Sequence, residues 1–180
     1  MEEKELIKGI LEKDEHCFII LINEYKKKIL SLCFSYTEDY YEAEDLSQEI
    51  FLTLYKSMSK FRGEASLSTY IYKISLSKCI DFKRKRSIRG FLSGLIRTEQ
   101  ENYVDKDEKY YVRQTISKLP EDLKKTVILY YFIGLTQKEI GEILKISEKA
   151  VEGRIYRAKQ KLKAEFEKEG NFLWERKEII

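Results

Sequence analysis

Lys149, Ala150, Gly153, Arg154 and Arg157 fall along one side of a stretch that reads as a single long helix. Residues 148–163 hold six basic side chains against two acidic ones. Small residues let a backbone approach a polyanion closely, while lysine and arginine reach phosphates and base edges. The chemistry implied is recognition of duplex DNA from the major groove, with no bond made or broken. On a wheel of about 100° per residue, Val151, Ile155, Ala158 and Leu162 group within about 60° as a core stripe. The basic set, with Lys161, lies on the other side, and Glu152 sits about 140° from Arg157, toward the flank.

Such a face needs an element to hold it. Gly134-Leu135-Thr136 breaks one helix and starts another, with Thr136 as N-cap and Glu139 three residues later completing a capping box. A helix over residues 137–144 buries Ile140, Ile143 and Leu144. Lys145-Ile146-Ser147 is a short turn, and Ser147 caps the basic helix. Two helices joined by a capped three-residue turn make a helix-turn-helix.

Residues 42–54 form a second constellation. Leu46, Ile50, Phe51 and Leu54 group on one side of a helix, where a core should cover them. Asp45, Gln48, Glu49 and Leu52 group on the other, and an exposed leucine in an acid-amide face suits a protein interface. Charge divides the chain in the same sense. Residues 1–55 carry six basic and thirteen acidic side chains, a balance of −7 in a chain whose net charge is +3. Residues 56–180 therefore carry +10, and a polyanion is their natural partner.

The chain has 180 residues, 43% of them hydrophobic, with eight glycines and a single proline, Pro120. Long stretches without either breaker favour helices. Residues 3–36 read as a short and then a longer helix. Thr37 or Asp39 caps a third helix through about Lys60, residues 61–66 form a loop, and a fourth helix runs from about Leu67 to Arg86. Periodicity fades over residues 87–107, apart from an apolar patch at residues 91–96. A further helix ends near Lys118, another starts after Pro120 at the favoured first-turn position, and the helix-turn-helix follows. The expected fold is all-α, with helical domains at residues 1–87 and 107–170, a flexible linker at 88–106 and a tail at 171–180.

Cys17, Cys33 and Cys79 lack metal-ligand spacing and read as reduced, mostly buried thiols. His16 has no ligand partner nearby, so no metal, cofactor or catalytic residue is assigned. The acidic start MEEKELIKGI is unlike a signal peptide, and the apolar run at residues 17–22 is too short to span a bilayer. The expected location is the cytoplasm, with any membrane link made through a partner.

These segments carry a resemblance. Residues 116–166, ISKLPEDLKKTVILYYFIGLTQKEIGEILKISEKAVEGRIYRAKQKLKAEF, resemble region four of an extracytoplasmic-function (ECF) sigma factor of bacterial RNA polymerase. Residues 41–87, beginning YEAEDLSQEIF, resemble region two of the same family. The resemblance implies a non-catalytic subunit that binds core polymerase and directs it to promoter DNA. It places Asp45, Leu46, Gln48, Glu49, Phe51 and Leu52 against the clamp helices of the largest polymerase subunit, and region four against the flap of the second-largest. In relatives, the loop equivalent to residues 62–66 pockets a base flipped from the melted −10 element, which selects the open state. Arg62, Ser66, Ser77, Lys78, Asp81, Lys83 and Arg84 are then expected near the −10 element. Thr136 and Gln137 join Lys149, Ala150, Gly153, Arg154 and Arg157 at the −35 element.

Lys83, Arg84, Lys85, Arg86 and Arg89 add a salt-sensitive phosphate contact. Tyr70 stands where relatives often have Trp, and both it and Tyr72 read as core or rim. Ser77 replaces an Asn of the family, Ala150 a Thr and Glu152 a Lys, so the promoter sequence does not carry over. Family analogy also implies an anti-sigma partner, often membrane-anchored.

About twenty linker residues reach at most roughly 65–70 Å, and one turn of DNA repeats a groove every 34–36 Å or so. One chain can thus grip two elements one to two turns apart. A response-regulator reading needs an upstream receiver of alternating strands and helices, which residues 1–106 lack. A nuclease-like enzyme needs clustered acids with metal partners, and Glu42, Glu44, Asp45 and Glu49 have no His or Cys beside them. A purely protein-binding helical adaptor leaves the basic last helix unexplained.

Overall fold

Glycine-poor sequence with frequent capping residues gives helix after helix. The computed structural model describes residues 2–92 and 108–168. Their order is α1 (Glu3–Leu11), α2 (Glu15–Thr37), α3 (Tyr40–Ser57), a 3-10 turn (Met58–Lys60), α4 (Leu67–Leu92), α5 (Glu108–Ser117), α6 (Glu121–Val127), a π-helical turn (Ile128–Ile133), α7 (Gln137–Leu144) and α8 (Glu148–Lys168). No strand occurs among the described residues. The chain divides into two compact units, one up to Arg84 and the other taking most of the residues from Lys85 onward.

The first unit starts with caps. Asp14 accepts the His16 amide at 2.8 Å and starts α2, and that bond holds its carboxyl below the usual range. Glu38 turns the chain through the left-handed region at φ 61°. Asp39, one of the two expected caps, then accepts the Glu42 amide at 2.9 Å and starts α3. Leu21, Ile29 and Leu32 of α2, Ile50 and Leu54 of α3, and Ile71 of α4 are fully buried. Each such side chain contributes about 1.5–3 kcal/mol by leaving water. All three cysteines are buried and outside any disulfide. Cys33 and Cys79 bring their sulfurs to 4.0 Å where α2 meets α4, and Tyr25 packs edge-on to Tyr72 across the same seam.

α4 runs six residues beyond its expected end at Arg86. The basic run is made of good helix formers, and a lone glycine such as Gly90 costs about 1 kcal/mol, too little to stop them. Phe91 and Leu92, the first two residues of the expected apolar patch, thus end α4, while residues 93–107, with the rest of that patch and of the expected linker, and the tail at 171–180 lie outside the described residues.

In the second unit, Pro120 is the N-cap of α6 and not its first helical residue. The π turn after α6, at Ile128–Ile133, is absent from the sequence reading. Val127, Ile128, Leu129 and Ile133 are buried there, with Ile140 of α7 and Val151, Ala158 and Leu162 of α8. α8 packs against α6 and α5.

Candidate nucleic-acid and protein interfaces

The helix-turn-helix is fixed by local bonds. Gly134 closes the π turn at φ 78°. Thr136 Oγ1 accepts the Glu139 amide at 3.2 Å, while the Glu139 carboxylate accepts the Thr136 amide at 2.8 Å. α7 spans the residues expected of it, with Ile140 and Ile143 buried and Leu144 half-buried. Lys145 then turns in the left-handed region, φ 57° and ψ 46°, and Ile146 N–H donates to the Gly141 carbonyl at 3.0 Å. A Cβ at Gly141 would lie 2.8 Å from the Ile146 oxygen, so this turn requires glycine there. Ser147 Oγ accepts the Ala150 amide at 3.2 Å and starts α8.

The inner stripe of α8 is as expected. Val151, Ile155, Ala158 and Leu162 are buried, and Phe166 extends the stripe by a turn. Lys149, Arg157 and Lys161 are exposed on the outer side. Ala150 and Gly153 are half-exposed, and a Cβ at Gly153 would meet open space. Arg154 stands apart from this group. Its side chain is 23% exposed, and its Nε lies 3.7 Å from the Asp122 carboxylate of α6. Counting about 100° per residue puts it nearer the core stripe than the outermost line. Thr136 is exposed but occupied by its cap, and Gln137 is half-buried.

Tyr156, which sequence reasoning passed over, is 64% exposed on this face. Positions 149, 153, 156 and 160 follow i, i+4, i+7 and i+11, the spacing of one helix face. That spacing was the available signal.

On α3, Leu46 and Phe51 are 4% and 9% exposed. They support the helix from the core side, so of the expected polymerase-binding set only Asp45, Gln48, Glu49 and Leu52 are at the surface. Tyr41 and Tyr55 join them at 78% and 44% exposure. Residues 41, 45, 48, 52 and 55 form one line along the helix, an aromatic at each end and a leucine 60% exposed within it. Solvent-exposed aromatics on a charged face mark an interface more than a plain surface.

The loop at residues 61–66 is where the sequence placed it. Arg62 is exposed, Gly63 turns at φ 73°, and Ser66 Oγ accepts the Thr69 amide at 3.1 Å as a cap for α4. Tyr72 is core, and Tyr70 is half-buried, its hydroxyl donating to the Ser57 carbonyl at 2.8 Å. Ser77 and Lys83 are exposed. Two residue pairs are brought together. Lys78 Nζ lies 2.7 Å from Glu49, joining a residue of the expected −10 set to one of the expected polymerase set. Arg84 and Asp81, both of the −10 set, pair at 3.0 Å. The Asp81–Arg84 pair has the i,i+3 spacing of neighbours on one helix face, whereas the 29-residue separation between Glu49 and Lys78 leaves no periodic trace in sequence.

Comparisons with known proteins bear on these faces. A family model for Sigma-70 region 2 matches residues 21–88, and one for Sigma-70, region 4 matches residues 109–162. Together they cover more than half of the chain. The ECF RNA polymerase sigma factor SigW of Bacillus subtilis is 30% identical over 176 residues, covering 89% of this chain and 94% of that protein. The RNA polymerase sigma-H factor of Pseudomonas aeruginosa is 27% identical over 175 residues, covering 88% and 91%. In fold, the chain is similar to CnrH, solved with the cytosolic domain of CnrY, at a TM-score of 0.73 and 23% identity over 92% of this chain and 97% of that one. It is also similar to the sigma factor RpoE of Bartonella quintana, solved with the anti-sigma factor NepR, at a TM-score of 0.66 and 18% identity, covering 82% and 94%.

Proposed function

Because the chain belongs to the ECF group of sigma-70 RNA polymerase sigma factors, we propose a division of labour between its faces. The line Tyr41, Asp45, Gln48, Leu52 and Tyr55, with Glu49 beside it, docks on core polymerase. The loop at residues 61–66 and the α4 residues Ser77, Lys78, Asp81, Lys83 and Arg84 read the −10 element. Lys149, Ala150, Gly153, Tyr156 and Arg157 of α8 read the −35 element, with Arg154, Thr136 and Gln137 at its border. The functional domains are residues 1–87 and 107–170, with residues 88–106 as the tether. Recognition is by binding, and no chemical step is assigned to the chain itself.

One observation carries this reading above the others: the outer face of α8. A tightly capped turn presents a helix whose outward line combines two small residues, exposed cations and an exposed aromatic ring. Such a surface suits a groove in which phosphates flank base edges and methyl groups.

Control by an anti-sigma factor is part of the same proposal, supported by two structures similar in fold: the sigma factor RpoE held by the anti-sigma factor NepR, and CnrH held by the cytosolic domain of CnrY. No helix among the described residues is long and apolar enough to cross a membrane. In this reading, any hold at the membrane passes through the partner.

The test is transcription by purified core polymerase on genomic fragments, with and without the protein. New transcripts whose starts share a −10 and a −35 sequence are expected. An unchanged transcript set at saturating protein would remove the assignment.

A further inference from the structure

The loop at residues 61–66 has little means of holding its own shape. Arg62 through Ser66 are all exposed, and Gly63 sits at a positive φ, so the loop buries no side chain of its own between its two ends. Its order must come from those ends.

At the exit, Ser66 Oγ bonds both Thr69 Oγ1 at 3.0 Å and the Thr69 amide at 3.1 Å. There too the Glu3 carboxylate of α1 accepts the Leu67 amide at 3.3 Å. At the entry, Phe61 N–H donates to the Met58 carbonyl at 2.9 Å. Tyr70 joins the two ends. From the first turn of α4 its ring packs on Phe61, centroids 5.0 Å apart and planes at 56°. Its hydroxyl reaches past Phe61 to the carbonyl of Ser57, the last residue of α3, at 2.8 Å.

We propose that Tyr70 is a positioning residue for promoter opening: it ties the end of α3 and Phe61 to the start of α4, and thereby presets the loop that captures the flipped base. This rests on the reading of residues 61–66 as part of the −10 reader. A loop already ordered before capture loses less conformational freedom on binding, and so binds more tightly through the same contacts. The phenol suits this work because it combines a ring that packs with a hydroxyl that donates. With its hydroxyl engaged at Ser57 and its ring against Phe61, Tyr70 acts on the DNA through the loop, not by stacking on a base.

The experiment compares wild type, Tyr70→Phe and Tyr70→Ala as full chains whose circular dichroism and polymerase binding match. The first readout needs no DNA: the rate of tryptic cleavage after Arg62, followed by mass spectrometry. The second is holoenzyme binding to a single-stranded oligonucleotide carrying the non-template −10 sequence of a promoter on which that holoenzyme initiates. Removing one net hydrogen bond should speed cleavage and weaken strand capture by about fivefold each in Tyr70→Phe. Tyr70→Ala should move both further, while duplex binding at the −35 element stays unchanged.

Weaker capture at an unchanged cleavage rate would mean that Tyr70 touches DNA directly, and would overturn the positioning role. Faster cleavage with full capture, or no change in either, would overturn it as well. If the wild-type holoenzyme does not prefer the −10 strand over a scrambled one, the loop's assignment fails on its own. The cleavage rates still report whether Tyr70 holds the loop.

Discussion

Arg154 and Arg157 lie three residues apart on one helix and face different surroundings. Arg157 is exposed, whereas Arg154 is mostly covered and shares its charge with Asp122. Arg157→Ala should therefore weaken binding to the −35 duplex about tenfold, and lower the slope of log affinity against log salt by about one. Arg154→Ala should give the smaller loss of the two, because Asp122 already competes for its guanidinium. Titration of labelled duplex at several salt concentrations measures both, and equal losses would remove the distinction between them. The thiols allow a second residue-scale prediction. The hydrogen bond with Cys33 and then burial push the Cys79 thiol well above its usual range. A raised thiol favours the protonated folded state, so its contribution to stability holds below the ordinary thiol range and is lost as pH rises above it. A thiol reagent at neutral pH should modify Cys33 and Cys79 only at the rate of unfolding. Rapid labelling of the native protein would contradict this burial.

At the scale of elements, the turn between α7 and α8 makes opposite demands on two positions. Lys145 occupies the left-handed region, where a side chain costs about 1 kcal/mol relative to glycine. Lys145→Gly should stabilise the protein by roughly 0.5–1 kcal/mol, seen as a rise of a few degrees in the melting temperature. Gly141→Ala should destabilise it by about 1–3 kcal/mol, since the added carbon crowds the Ile146 carbonyl. Unfolding curves of both variants decide the matter. This is also where sequence was most legible. Thr136 with Glu139, and Ser147 before a periodic run, are local signals, and α7 began and ended where they indicated. The π turn was not legible, because one extra residue per turn across Ile128–Ile133 hardly disturbs an apolar stretch. The end of α4 was missed because a single Gly90 resembles a breaker without the strength of one. Tyr41, Tyr55 and Tyr156 were missed for a different reason. An aromatic residue is read by habit as core, and only packing shows which rings the core leaves out.

For the whole molecule, the proposed partition predicts that damage to one face spares the other. Double charge reversal at Asp45 and Glu49 should weaken polymerase association at least tenfold while leaving −35 duplex binding within twofold. Co-purification with core polymerase and duplex titration together test this. Loss of both activities would mean that the faces are not independent.

The Glu49–Lys78 bridge adds a consequence for genetics. A surface pair of this kind is worth no more than about 1 kcal/mol, yet it links residues assigned to different partners. An allele at Glu49 selected for poor polymerase docking also releases Lys78, so its defect should be partly masked by firmer hold on the promoter. The two positions should therefore be epistatic. Exchanging the charges, Glu49→Lys with Lys78→Glu, restores the bridge while inverting what each face presents. If the exchanged double mutant is as defective as the sum of its single mutants, the partners, and not the bridge, set the sign at these two positions.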